Sequence, residues 1–158
     1  MWPIRLYIAV VLVSICASAH AGDDRVATVT DRAIQFVVNA YTGVRMEDSE
    51  WMTQEKLQDP GDHLVLIGGL RPLVESNARR AHEAGGLGSV EVVRVESRGD
   101  IYRVTARVSF ASSRGASKKN QEKEEPWQLY FQEEAGKFKL PSQATLIAFR
   151  GGDKTNQK

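Results

Sequence analysis

The chain has almost no cysteine. Its one example, Cys16, falls inside the first apolar run, so no disulfide can brace the rest of the chain and a packed core must hold the fold by itself. Histidine is nearly as scarce. Beyond residue 21 only His63 and His82 remain, and neither stands in a metal-ligating pattern. No charge sign dominates either: 21 Lys and Arg against 20 Asp and Glu leave a net charge of +1, which excludes the broad basic field of a nucleic-acid binder. No apolar run is long enough to span a bilayer comfortably. There is no nucleophile elbow and no phosphate loop, and Gly85-Gly86-Leu87-Gly88 lacks the spacing and context of a dinucleotide fingerprint. No internal repeat is visible.

What is present begins with an address. Arg5 gives a short positive start, an apolar run covers residues 6–17, and Ala19-His20-Ala21 has the small-x-small form of a leader cleavage site. Residues 1–21 therefore read as a signal peptide cut after Ala21, which makes the mature chain periplasmic or secreted with no membrane anchor. Ile15 stands where a lipidation signal at Cys16 would need a small residue. Arg5 is the only charge in the leader, so the mature chain is neutral. Its length is that of one domain, residues 22–150, ending in a polar tail at 151–158 expected to be disordered.

The centre of the mature chain is residues 85–110. In residues 101–110, Tyr102, Val104, Ala106, Val108 and Phe110 alternate with Ile101, Arg103, Thr105, Arg107 and Ser109. Successive strand side chains point to opposite faces, so this strand has one side on a core and the other near water. Its partner, residues 90–97, carries Val90, Val92, Val93 and Val95. The slip at Val92-Val93 fits either a β-bulge or a centre buried on both faces. Gly99-Asp100 supplies the turn between them.

Helices precede this hairpin. Residues 26–44 place Ile34, Val37, Val38 and Tyr41 on one stripe, with Thr28 or Thr30 as the cap and Gly43 near the end. Residues 48–57 read as one short second helix with Trp51, Met52 and Leu57 as its apolar side, broken by Pro60-Gly61. Residues 64–84 are helical in two pieces around Gly68-Gly69. Pro72 suits the first turn of the second piece and Gly85 its close. After the hairpin, residues 111–125 hold no apolar side chain larger than alanine and read as a mobile charged tip. Trp127, Leu129 and Phe131 then alternate with Gln128, Tyr130 and Gln132 in a third strand. Gly136 turns into residues 138–140, and residues 144–149 suggest a further short strand.

Taken together, Gly85-Gly86, Gly99-Asp100, the Val104–Val108 strand and Gly136-Lys137-Phe138-Lys139 resemble the secreted bacterial branch of the nuclear transport factor 2-like superfamily. More narrowly, they resemble a lipoprotein-like family with a suggested link to lumazine binding. The resemblance covers nearly all of the mature chain, with two departures: a long loop at 111–125, and Phe138 where tryptophan is common. It implies an α+β fold, a cone-shaped domain with about three N-terminal helices packed on a curved antiparallel sheet. It also implies an interior that can hold a small apolar ligand, and a sheet that can pair as a homodimer or meet a periplasmic protein partner.

The chain offers two sets of candidate residues. Tyr41, Trp51, Tyr102 and Trp127 are placed to line a pocket, or to fill it as plain core. Arg103, Thr105, Arg107 and Tyr130 sit on the outer sheet face, where they suit a polar protein contact or a solvated surface. No catalytic constellation assembles: Asp31, Asp62, His63 and Asp100 fall at caps, turns and breaks. The expectation is an exported, non-enzymatic module for protein interaction or small-ligand binding, with no cofactor and no metal. The alternatives are a pocket enzyme of the isomerase or dehydratase type and an assembly component of a bacterial secretion system.

Overall fold

The computed structural model describes residues 23–59, 69–111 and 126–151. The leader, the first helical piece expected from residue 64, the tip at 112–125 and the tail from 152 lie outside the described residues.

Helix α1 (Asp23–Thr42) starts earlier than the threonines suggest. Asp23 and Asp24 open it, where acidic groups suit the helix dipole. Thr28 is therefore no cap; its hydroxyl donates back to the Asp24 carbonyl at 2.7 Å. The buried side is Val29, Ala33, Phe36, Val37, Ala40 and Tyr41. The predicted stripe is correct at Val37 and Tyr41, but Ile34 and Val38 only flank the core. Ala33 and Ala40 explain the offset, because small residues allow close approach and are overlooked when only bulky ones are counted. Gly43, at φ +76°, ends the helix, and Val44 N–H returns to the Asn39 carbonyl at 3.1 Å.

The single short helix expected over 48–57 is two. Helix α2 (Asp48–Trp51) stops at Met52, which is extended (φ −111°, ψ 145°), and α3 (Gln54–Gln58) starts anew. The break has a cause far along the chain. Thr53 N–H donates to the Leu140 carbonyl at 3.0 Å, and Leu140 N–H donates to the Trp51 carbonyl at 2.7 Å. Met52 thus bridges in parallel to Leu140, and Thr53 caps α3 by accepting from Lys56 N–H.

Helix α4 (Arg71–Glu83) has Pro72 in its first turn, as expected. Val74, Asn77 and Ala81 are its buried residues. It ends in a Schellman turn: Gly86 N–H reaches the Ala81 carbonyl and Gly85 N–H the His82 carbonyl, with Gly85 at φ +83°.

The sheet comprises β1 (Leu87–Arg98), β2 (Ile101–Phe110), β3 (Trp127–Glu134) and β4 (Lys137–Lys139), all antiparallel neighbours in that order. The slip at Val92-Val93 is a bulge. Val92 pairs with Ala106 and Arg94 with Thr105, leaving Val93 unpaired and 41% exposed. Tyr102, Val104, Ala106 and Val108 are buried under α1, with Phe110 half-buried at the end. Leu129, Phe131 and Phe138 continue this inner face.

The strand expected at 144–149 is instead helix α5 (Gln143–Gly151). Ser142 caps it, accepting from Thr145 N–H at 3.1 Å. Its apolar residues are spaced for a helix: Leu146 and Phe149 pack down while Ile147 is 62% exposed. The helix lies on the outer face of the sheet, against Ile101 and Tyr130. Helices and a four-stranded antiparallel sheet thus form the expected α+β cone.

Candidate functional site

The four pocket candidates split into two groups. Phe36, on α1, meets Trp51 edge-on at 5.2 Å between ring centroids and Trp127 at 6.2 Å. Tyr41, one turn further, meets Trp127 at 5.6 Å and Phe110 at 5.5 Å. The Trp127 indole N–H donates to the Tyr41 hydroxyl at 3.0 Å, so the polar tip of each ring is used on the other. Tyr41, Trp51 and Trp127 are therefore one cluster around Phe36. Tyr102 lies in the same core but makes its ring contact with Phe138, edge-on at 5.2 Å.

Among the described residues the buried polar side chains are Thr53, Asn77 and Ser142. Thr53 and Ser142 cap helices, and the Asn77 amide donates to the Leu73 carbonyl one turn back. No group of three or more His, Cys, Asp or Glu among the described residues could hold a metal. No helix among them is long and apolar enough to cross a membrane.

An open groove of about 860 Å³ lies elsewhere, between the end of α1 and the start of α4. Met46, Leu57 and Val74 contribute apolar surface to it. Arg45 and Arg71, also in its lining, are paired with Glu47 and Glu75 at 2.8 Å each. None of the four aromatic candidates lines this groove.

The outer-face candidates are organised by hairpin register. Glu96 lies opposite Arg103 across β1 and β2. Its carboxylate takes Arg103 at 2.5 Å and Arg94 at 2.6 Å. The hydrogen bond from Arg103 to Glu96 holds the guanidinium pKa above its ordinary value, and the Tyr130 hydroxyl adds to this. Thr105 is half-buried and Arg107 exposed, with Glu91 opposite. Tyr130 departs from its expected place on an open face. It is buried, covered by Phe149 with ring centroids 5.8 Å apart.

Sequence reading overlooked Glu96, Arg98 and Phe149. Glu96 was within reach of it, because the Gly99-Asp100 turn fixes 96 opposite 103. Arg98 and Phe149 were not, because their contact depends on α5 folding back over the sheet.

No family model matches the chain, and no curated protein does. A solved structure does. The crystal structure of a Campylobacter jejuni protein described as a "Putative NTF2-like transpeptidase" superposes with a TM-score of 0.56 at 13% sequence identity. The match covers 73% of this chain and 98% of that one. The fold is nuclear transport factor 2-like. Within that fold, the inner face of the cone is where the ring cluster sits, and the outer face of the sheet is the surface that α5 partly covers.

Proposed function

We propose that this chain is an exported, non-enzymatic domain that binds a protein partner through the outer face of its sheet, around Arg103, Thr105 and Arg107. The observation that carries this reading is the interior. Its rings interlock edge to face, and no Asp, Glu or His among the described residues is buried beside them. A pocket enzyme of the isomerase or dehydratase type needs a desolvated base opposite a donor. Transpeptidation, the activity in the Campylobacter protein's description, needs a nucleophile beside a base. The buried Ser and Thr hydroxyls among the described residues, Thr53 and Ser142, are occupied as helix caps. The outer face, by contrast, presents Glu91 opposite Arg107 and a paired Arg94–Glu96–Arg103 row, charges of both signs that fix the orientation of a partner. Export rests on Arg5, the apolar run after it and Ala19-His20-Ala21. The partner is then periplasmic: a second copy or a component of a larger assembly.

Native mass measurement of protein purified from the periplasm tests both parts. The chain is expected to begin at Gly22 and to run as a complex. Arg107→Glu should dissolve that complex and leave the chain folded, with a modest fall in melting temperature from the like charge it sets opposite Glu91. A monomer that retains a small molecule would overturn the interaction reading in favour of ligand binding.

A further inference from the structure

The chain as a whole is almost neutral, but the outer side of the β1–β2 hairpin is not. Register places Arg94, Arg98, Arg103 and Arg107 there, with Glu91 and Glu96 among them. Helix α5 lies against the same face and adds Arg150 and no carboxylate. Asp100, at the hairpin turn, already accepts from the Gln132 amide at 2.8 Å. Five arginines thus stand against three carboxylates. Glu96 is taken twice, by Arg94 and by Arg103. Arg107 and Arg150 are exposed, and neither forms an ion pair among the described residues. The Arg150 guanidinium lies 5.6 Å from the centroid of the Tyr130 ring.

The excess has a chemistry as well as a sign. No lysine occurs in the hairpin strands or in α5. A guanidinium presents a planar fork that takes a carboxylate with two parallel hydrogen bonds, and it releases its water more readily than an ammonium. Two copies of this face brought together would set the positive excess against itself. An anionic lipid surface presents one sign throughout and would meet Glu91 and Glu96 as like charges. A protein can answer both signs, with carboxylates on Arg107 and Arg150 and none beside Glu91. We infer that the partner of this face is a protein segment rich in Asp and Glu, and that Arg107 and Arg150 are the cations it neutralises. The inference rests on the interaction reading above and names the chemistry of its partner.

The test uses the full chain and two fluorescent peptides, octaglutamate and octalysine. An extended octapeptide spans up to about 26 Å, and Arg103 and Arg107 are roughly 13 Å apart along β2, so the probe can cover the hairpin. The chain should bind octaglutamate at least tenfold more tightly than octalysine. Raising salt from about 0.1 M to about 1 M shortens the screening length from about 10 Å to about 3 Å and should weaken that binding at least tenfold. Arg107→Gln, which sets no like charge opposite Glu91, and Arg150→Gln should each weaken it about threefold, and the double variant about tenfold. Arg79→Gln, the same loss of charge on an exposed position of α4, should leave it within about twofold. Equal binding of the two peptides overturns the acidic partner. So does a loss in Arg79→Gln as large as that in Arg107→Gln, because binding then follows net charge and not this face. Vesicles containing phosphatidylglycerol that compete octaglutamate away, and that no longer bind the double variant, give the face to a lipid surface and overturn it too. A native dimer that Arg107→Glu dissolves, with octaglutamate unbound, keeps the interaction reading and overturns its acidic partner. A native monomer that retains a small molecule, with octaglutamate still bound through Arg107, overturns the interaction reading and supports an acid-binding face.

Discussion

Arg32 does more for this fold than its charge suggests. Its guanidinium carbon lies 3.4 Å from the centroid of the Trp51 ring. Nε donates to the Phe138 carbonyl at 3.2 Å and Nη2 to the Glu50 carbonyl at 3.0 Å. One side chain on α1 thus ties α2 to β4 while covering the largest ring in the core. Arg32→Ala removes a stacked cation and leaves two carbonyls without this donor, so it should cost about 2–3 kcal/mol in urea denaturation. Arg32→Lys should recover less than half, because an ammonium cannot lie flat on the ring and reach both carbonyls. Gly69 is a second such residue. It sits at φ +71°, and a Cβ there would collide with the Asp48 carboxylate. The same carboxylate accepts the Leu70 N–H at 2.9 Å at the start of α4. Gly69→Ala combines backbone strain with displacement of that acceptor and should cost about 3 kcal/mol. In the Asp48→Ala background only the backbone strain should remain, about 1–2 kcal/mol, and a double-mutant cycle reads the difference directly.

Elements here begin and end for reasons at different distances along the chain. The close of α4 at Gly85-Gly86 and the hairpin turn at Gly99 are local glycine signals, and both were legible in the sequence. The β3–β4 turn is less well provided. Glu134 pairs with Lys137 across Ala135-Gly136, with Ala135 at φ 51° and Gly136 at φ 75°. Two positive φ angles in a two-residue loop favour Asn-Gly, and alanine carries a Cβ penalty there. Ala135→Asn should stabilise the protein by about 0.5–1 kcal/mol, seen as a rise of a few degrees in melting temperature. An unchanged or lower melting temperature would mean that the strain is relieved elsewhere. The split of α2 from α3 and the helical form of α5 were not legible. The first needs Leu140 beside Met52, and the second needs Ser142 as a cap and Tyr130 to receive Phe149.

At the scale of the whole molecule, Glu134 ties the sheet to the helical layer. Glu134 accepts the Gln54 N–H at 2.9 Å and Lys139 Nζ at 3.0 Å. These partners, the backbone N–H first, hold its pKa below the ordinary carboxylate value. Folded Glu134 therefore binds its proton less readily than unfolded Glu134. The stability it contributes is complete at neutral pH and is lost as pH falls from the ordinary value near about 4.3 through the lower folded one. Glu134→Gln keeps the acceptor for Gln54 and cannot titrate. Its denaturation midpoint should decline less steeply than that of the wild-type chain below about pH 5. Parallel declines would assign the acid sensitivity to other carboxylates.

By itself the sequence determined the inner face of the sheet, the irregularity at Val92-Val93, the glycine-closed ends of α1 and α4, and the α+β class. Each of these is written in side-chain periodicity or in a backbone angle that glycine alone adopts easily, and such signals act over a few residues. Only the tertiary structure decided that Val93 is the bulged residue, that Tyr41 and Trp127 meet ring to ring while Tyr102 meets Phe138 in the same core, and that Tyr130 is covered. It also decided that residues 48–57 break at a bridge to Leu140. These outcomes depend on which segments meet in space. Burial is a property of the pair, and neither Tyr130 nor Phe149 carries a mark of the other in its own neighbourhood.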